Sequence, residues 1–204
     1  MSASSETLQR YYRIHAAFYD ATRWAFLFGR EQIIRELRRH APSPQRILEV
    51  GCGTGKNLQP LHRCYPDARL CGVDLSREML GKARRKCVGI ARLELHQQRY
   101  DAPLAPGSFD VVLFSYALSM FNPGWEEALR TACRDLAPGG ILAMVDFHNS
   151  RFPLFKSWMA KNHVRMDAHL LPLASRLTTT HFVRECSAFG GLWTYHLFLG
   201  EKTV

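Results

Sequence analysis

Short continuous apolar runs alternate along most of this chain with stretches whose apolar residues recur at helical spacing. The beginning is different. From about Glu6 to Arg39 the pattern is helical throughout, interrupted only by Gly29, and residues 1–40 are expected to form an N-terminal helical cap. Tyr11, His15, Phe18 and Phe26 have the spacing of an apolar helical stripe. Ala41-Pro42-Ser43-Pro44 breaks the pattern and opens a second unit, residues 41–204. Its expected strands are roughly Arg46–Val50, Ala68–Val73, Ala91–Gln97, Ser108–Phe114 and Ile141–Asp146, with helices over about Gly55–Cys64, Ser76–Lys86 and Glu126–Leu136 between them. Ser76 is the expected N-cap of its helix. The unbroken apolar run Val111-Val112-Leu113-Phe114 marks a strand buried on both faces, as in parallel sheets. Pro138-Gly139-Gly140 reads as a turn. Thr178–Cys186 and Leu192–Gly200, joined by Ala188-Phe189-Gly190-Gly191, read as two further strands. The fold class is therefore α/β: a seven-stranded, mostly parallel sheet with one antiparallel strand, the last, and helices on both faces. Between residues 151 and 177, Phe152, Leu154, Phe155, Trp158 and Met159 mix with Lys156, Lys161 and Arg165. That mixture suits an interfacial helix or an amphipathic lid, either one shortened by Pro153 and Pro172.

The first strand ends in the most informative stretch, Ile47 to Asn57. An apolar run reaches an acid at Glu49, and glycines follow at alternate positions, Gly51, Gly53 and Gly55, before a polar helix opening. Glycine tolerates positive φ, and without a Cβ it lets a ligand lie against bare backbone. The helix start adds unpaired N–H groups. A second acid, Asp74, follows about 20 residues later at the end of the next apolar run, where nucleotide-binding α/β folds hold ribose hydroxyls. Dinucleotide sites use G-x-G-x-x-G against a pyrophosphate; here the pattern is E-x-G-x-G-x-G. An acid beside the loop suits a ligand with a positive end, and S-adenosylmethionine has both an ammonium and a sulfonium.

At these residues the chain resembles class I S-adenosylmethionine-dependent methyltransferases. Their first motif is matched by Glu49, Gly51, Gly53 and Gly55, and their second by Asp74. The resemblance implies a Rossmann-like fold with S-adenosyl-L-methionine as cofactor and S-adenosyl-L-homocysteine as product. It implies a cofactor site that also includes Cys52 and Asn57 of the loop, and Leu75 and Met79 against the adenine; for Met79, core packing is the competing reading. The adenine amine is met either by Asp101, of Asp101-Ala102, or by Gln98 in its place. Ser115 and Tyr116 follow the fourth strand at its ligand-binding edge, with a core aromatic as the other reading of Tyr116. In this class an aromatic–acid pair before the first strand, here Tyr19-Asp20, helps close the pocket; Asp20 alternatively caps a helix starting near Thr22.

A narrower resemblance covers most of the chain to about residue 150. Tyr12, His15, Tyr19 to Trp24, Phe26 to Arg30, Ser115 to Met120 and Val145-Asp146-Phe147 are similar to bacterial betaine-lipid N-methyltransferases, which methylate the homoserine amine of diacylglyceryl-homoserine. It implies a lipid head-group amine as acceptor, with the enzyme that makes the homoserine lipid as a candidate partner. Such an amine must arrive deprotonated, and the candidate catalytic residues are Tyr19, Tyr116 and His148; a surface histidine is the competing reading of His148. Trp24, Tyr116 and Trp125 are aromatic candidates for facing the trimethylated cation. Another phospholipid amine, a quinone or a small molecule remains an alternative acceptor, and a non-catalytic cofactor-binding module an alternative class.

Composition narrows the field. Hydrophobic residues make up 47% of 204, enough for a full core. No apolar run approaches the roughly 20 residues of a membrane span, and Met1 to Glu6 lacks the basic-then-apolar signature of a secretory signal. The six cysteines form no C-x-x-C pair and read as reduced thiols of a cytoplasmic protein. The nine histidines form no H-x-x-x-H, so no metal is expected. The formal charge of +9 favours anionic partners, here an anionic membrane surface to which the protein would attach peripherally. Nucleic acid is disfavoured, because Asn122-Pro123-Gly124-Trp125 lacks the second proline of the N-P-P-Y loop of base-modifying enzymes.

Overall fold

The computed structural model describes residues 27–203. Phe28 and Gly29 lead into α1 (Arg30–His40), and β1 (Arg46–Val50) follows the proline break. Next come α2 (Leu58–Cys64), β2 (Arg69–Asp74), α3 (Arg77–Lys86), β3 (Leu93–Gln97) and β4 (Phe109–Ser115). A 3₁₀ turn at Leu118–Met120 leads to α4 (Trp125–Asp135), β5 (Leu136–Asn149), α5 (Pro153–Lys161), α6 (Leu170–Leu177), β6 (Thr179–Ala188) and β7 (Trp193–Glu201). The seven strands form one sheet in the order β3-β2-β1-β4-β5-β7-β6. β7 is antiparallel to both its neighbours, β5 and β6, and every other pairing is parallel. The expected sheet, with its last strand reversed, is thus the observed one.

Adjacent residues on each central strand feed opposite cores, as strand periodicity requires. Ile47, Val111, Val145 and Leu197 pack under Ile33 and Leu37 of α1 and Leu58 and Leu61 of α2. Leu48, Val112, Leu142 and Phe198 pack under Leu129 and Ala132 of α4 and Leu170 and Leu173 of α6. The sheet is covered on both faces, which is why its strands read as continuous apolar runs. Ser76 caps α3 as expected, its hydroxyl accepting from the Met79 amide at 3.2 Å.

Two elements start three or more residues away from the sequence reading; other ends shift by one to three. α2 begins at Leu58, not Gly55, because Gly51, Gly53 and Gly55 all have positive φ and cannot continue a right-handed helix. β5 begins at Leu136, with Pro138-Gly139-Gly140 bulging inside it: Leu136 pairs with Phe109 and Ile141 with Val111, so β5 spends five residues where β4 spends two. The loop from β3 to β4 is fastened from beneath. Asp135, fully buried, accepts from the Tyr100 hydroxyl at 2.8 Å, the Leu104 amide at 2.9 Å and the Ala105 amide at 2.8 Å. Among the described residues no helix is long and apolar enough to cross a membrane.

Candidate cofactor and acceptor site

The strand order reverses at β1, whose neighbours β2 and β4 lead in opposite directions; crevices at the carboxyl ends of such strands are where α/β sheets bind ligands. The glycine loop fills this position. Its Gly51 and Cys52 amides donate to the Val73 carbonyl at 2.8 and 3.0 Å, and its Gly53 amide donates to Asp74 Oδ2 at 2.8 Å. Asp74 Oδ1 accepts from the Ser76 amide at 2.9 Å. One carboxylate at the end of β2 therefore organises both the glycine loop and the start of α3. Gly51 permits a close approach, since a Cβ there would lie 2.6 Å from that of Ala117. At Gly53 a Cβ would meet nothing within 4 Å among the described residues, so this backbone faces open space there.

Glu49 is buried beneath the loop, at 2% exposure. Asn57 Nδ2 donates to its Oε1 at 2.7 Å. Its Oε2 is buried with no hydrogen-bond partner among the described residues. Burial drives the carboxyl from its usual 4.5 to about 7; the Asn57 bond and the Arg30 guanidinium pull the other way, and the Asp74 charge adds to the rise. Leu75, just beyond β2, is 58% exposed, unusual for a leucine between two packed elements. A buried acceptor lacking a donor, open space over bare backbone and an exposed apolar side chain fit a ligand with a cationic end and a flat apolar body.

The remaining candidates fall at different depths. Cys52 packs its thiol against Gly72, so only its backbone faces the loop. Met79 is buried at 6% exposure, consistent with core packing. Gln98 directly follows β3, and its amide donates to the Asp74 carbonyl at 3.2 Å; Asp101 lies beyond the buried Tyr100 and pairs with Arg99 at 3.3 Å. Gln98 is thus the one of the two placed beside Asp74. Ser115 ends β4, buried, its hydroxyl without a hydrogen-bond partner among the described residues. Tyr116 is in the left-handed region at φ 55, a costly conformation for an aromatic residue. Its ring meets Phe147 edge-on at 4.8 Å and its hydroxyl donates to the Phe28 carbonyl at 2.7 Å. Burial, then the Asp146 charge, pushes its phenol well above the ordinary value, so it stays protonated and cannot act as a base. His148, near the end of β5, has a largely buried side chain with Nε2 3.8 Å from Glu185 Oε2 and a buried Nδ1 without a hydrogen-bond partner among the described residues. Trp125 packs edge-on against His169 at 4.7 Å, with the Arg165 guanidinium 5.9 Å from its ring centre. Tyr19, Asp20 and Trp24 lie outside the described residues.

Sequence reasoning missed two neighbours of the site. Arg30, the first residue of α1, sits 6.0 Å over the Tyr116 ring and also acts on the Glu49 charge. Its only sequence signal was its place at the end of the lipid-methyltransferase-like opening. Asp146 is fully buried and accepts from the Ser119 and Phe147 amides at 3.1 and 2.8 Å, binding the segment after β4 to β5.

Residues 47–140 match the family model described as a methyltransferase domain. The chain is 36% identical over 102 residues to trans-aconitate 2-methyltransferase from Methylobacterium nodulans, a stretch covering 50% of this chain and 38% of that one. It is 36% identical over 108 residues to demethylmenaquinone methyltransferase from Thermus thermophilus, covering 52% and 48%. The chain thus spans less than half the length of these curated relatives. In solved structures the resemblance is to the fold. The N-methyltransferase NodS from Bradyrhizobium japonicum, in complex with S-adenosyl-L-homocysteine, superposes with a TM-score of 0.69 at 16% identity, covering 86% of this chain and 87% of that one. The [4+2]-cyclase SpnF superposes at 0.72 and 16% identity, covering 85% and 82%. The architecture is the Rossmann-like fold of S-adenosylmethionine-dependent methyltransferases. The part matching their domain model runs from β1 to the Pro138-Gly139-Gly140 bulge.

Proposed function

We propose that this chain is an S-adenosylmethionine-dependent N-methyltransferase that acts on a lipid head-group amine, methylating diacylglyceryl-homoserine in successive steps to the trimethylated betaine lipid. The cofactor, when bound, supplies a methyl group already activated by its sulfonium leaving group. Glu49 would hold its ammonium end, the Gly51–Gly55 backbone its length, Asp74 its ribose and Leu75 its adenine, with Gln98 at the adenine amine. The buried, donorless Oε2 of Glu49 is the observation that carries this assignment.

The chain's own contribution to methyl transfer is orientation and proton removal. Holding an amine in line can account for about 7–11 kcal/mol of barrier. Of the candidate bases, His148 near the carboxyl end of β5 is the described residue left for taking the amine proton; Tyr116, protonated and bonded to Phe28, positions the segment before α1 instead. The acceptor reading is supported by convergence. The three strings that resemble betaine-lipid enzymes and contain Phe28, Tyr116 and Phe147 meet through the Tyr116 hydroxyl and ring.

Incubation with labelled S-adenosylmethionine and diacylglyceryl-homoserine should yield labelled mono-, di- and trimethylated lipid. No labelled lipid, with labelling of another acceptor, overturns the substrate and leaves the reaction class. A carboxylate acceptor is the second reading, motivated by the trans-aconitate methyltransferase relatives, and trans-aconitate in the same assay tests it. Heat on cofactor titration without turnover on any acceptor would favour a non-catalytic binding module.

A further inference from the structure

A cavity of about 500 Å³ lies where β5 and β6 end and β7 begins, apart from the glycine loop and Asp74. Its lining includes Arg151 just beyond β5, Glu185 and Ser187 on β6, Thr194 on β7 and the Gly190-Gly191 turn. No apolar side chain lines it among the described residues. The two glycines have positive φ, at 63 and 92. Among the described residues a Cβ at Gly190 would meet nothing within 4 Å, and one at Gly191 only Arg151 Nη2, at 3.9 Å. The turn thus offers open backbone beside a guanidinium. The walls are tied together: the Ser150 hydroxyl donates to the Leu192 carbonyl at 2.6 Å, and the Thr194 hydroxyl to the Asn149 carbonyl at 3.4 Å.

The cavity holds one charge of each sign, and they do not neutralise each other. Arg151 has no ion pair among the described residues; its guanidinium rests 5.2 Å from the Phe152 ring centre. Glu185 has only His148, whose Nε2 lies 3.8 Å from its Oε2, beyond a hydrogen bond. The neighbouring cations are otherwise engaged. Lys156 Nζ donates to Asn149 Oδ1 at 3.1 Å, and Arg165 pairs with Asp167 at 2.7 Å. A simple anion in this cavity would face the Glu185 carboxylate, and a simple cation would face Arg151. Among the described residues no group of three or more His, Cys, Asp or Glu could hold a metal ion. Cation and anion in one polar cavity of small-molecule size complement a ligand that carries both charges.

We infer that this cavity is the head-group subsite of the acceptor and binds an α-amino acid zwitterion, the carboxylate at Arg151 and the amine at Glu185. Its purpose rests on the lipid-acceptor reading, since the homoserine head group bears both charges; the preference for a zwitterion rests on the cavity alone. An amine at Glu185 comes beside His148, the candidate base. β5, which carries His148, stands two strands from β1, about 10 Å at the usual spacing, so head group and cofactor share one edge of the sheet.

The test uses the full chain with S-adenosyl-L-homocysteine present. Calorimetric titration with O-methylhomoserine, a soluble copy of the head group, should give heat. Its carboxamide, which lacks the negative charge, should bind at least about tenfold more weakly. Arg151→Gln should abolish that preference and Arg151→Lys should keep part of it. Glu185→Gln should weaken binding of O-methylhomoserine at least about fivefold. In methylation of a short-chain homoserine lipid, Arg151→Gln should raise KM about tenfold with little change in kcat. Both side chains are exposed, so melting temperatures should match the wild type; should a variant prove unstable, the carboxylate–carboxamide comparison on the wild type still decides. No heat with O-methylhomoserine, equal affinity for its carboxamide, or an undiminished preference in Arg151→Gln overturns the subsite. Methylation of homoserine lipid with unaltered KM in Arg151→Gln and Glu185→Gln overturns it as well and leaves the substrate standing. Binding as expected, with no methylation of homoserine lipid, keeps the subsite and removes the substrate. Free homoserine that binds as tightly as the short-chain lipid assigns the zwitterion to a free amino acid instead of a lipid head group.

Discussion

Asn57 donates a hydrogen bond to one carboxylate oxygen of Glu49 and leaves the other, equally enclosed, with none. Burial therefore disfavours the ionised form of this carboxyl. Burial raises the carboxyl from 4.5 to about 7, so the folded chain keeps a proton that the unfolded chain releases over that interval. The stability this confers is complete below about pH 4.5 and is lost as pH rises through about 7, on the order of 3 kcal/mol. Thermal melts without cofactor should therefore decline from about pH 5 to about pH 8, and Glu49→Gln should flatten the decline. Part of the slope should remain, because Asp146, also fully buried, is raised by desolvation to about 6.

The same carboxylate predicts how cofactor binding responds to pH. A cationic amine placed at Oε2 favours the ionised form, so affinity for S-adenosylmethionine should increase as pH passes about 7. Calorimetric titration at several pH values should show this for the wild type. Glu49→Gln should bind at least about tenfold more weakly above pH 7 and lose the pH dependence.

Gly51 and Gly53 have similar backbone angles, φ 70 and 55, but opposite surroundings. An alanine at 51 would place its Cβ 2.6 Å from Ala117, a contact that only backbone movement can relieve. At 53 the methyl would enter open space and pay only the left-handed conformation, about 1–2 kcal/mol. Gly51→Ala should lower the melting temperature more, whereas Gly53→Ala should leave a folded protein with cofactor affinity reduced disproportionately to its stability loss. Comparable losses of both quantities in the two variants would mean that the space over Gly53 is not where the cofactor lies.

The elements that the sequence disclosed are those whose physics is local. β1, the glycine loop and Asp74 stand within one βαβ unit, and each apolar run of β2, β4 and β7 is its own signal. The missed features depend on partners distant in the chain. Nothing near Tyr116 indicates that its hydroxyl will find the Phe28 carbonyl 88 residues away, which turns a candidate base into a buried strut. Nothing near Arg30 indicates Glu49. The Pro138-Gly139-Gly140 turn was legible, but not that pairing of Leu136 with Phe109 makes it a bulge within β5. At Met79 and Cys52 the local pattern allowed both a ligand contact and core packing, and burial of both side chains depends on the neighbours α3 and β2 bring.

Asp135 shows how a distant pairing supports the site from below. Tyr100→Phe removes one of three donors to a fully buried carboxylate and should cost about 1.5–3 kcal/mol, or several degrees in melting temperature. Its effect on cofactor affinity should be small, since the Leu104 and Ala105 amides still hold the loop. A variant with unchanged stability would show that the two backbone amides alone satisfy Asp135.

The acid limit of stability should lie at the opposite end of the site, on β7. His196 stands across from Asp146 in the β5–β7 pairing, fully buried, and neither ring nitrogen has a hydrogen-bond partner among the described residues. Burial foremost, then the nearby His148 and His169, depress it from 6.5 to about 3. Below about pH 6.5 the unfolded chain takes up a proton that the folded chain refuses, so its contribution is complete above that value and is lost as pH falls toward about 3, on the order of 5 kcal/mol. This opposes the trend set by Glu49, and the two together place maximum stability between the acid and neutral limits. His196→Leu, close in volume and apolar, should weaken the acid-side loss in urea unfolding and leave the decline toward alkaline pH as in the wild type. An unchanged acid limb in this variant would transfer the effect to His169, which burial also lowers.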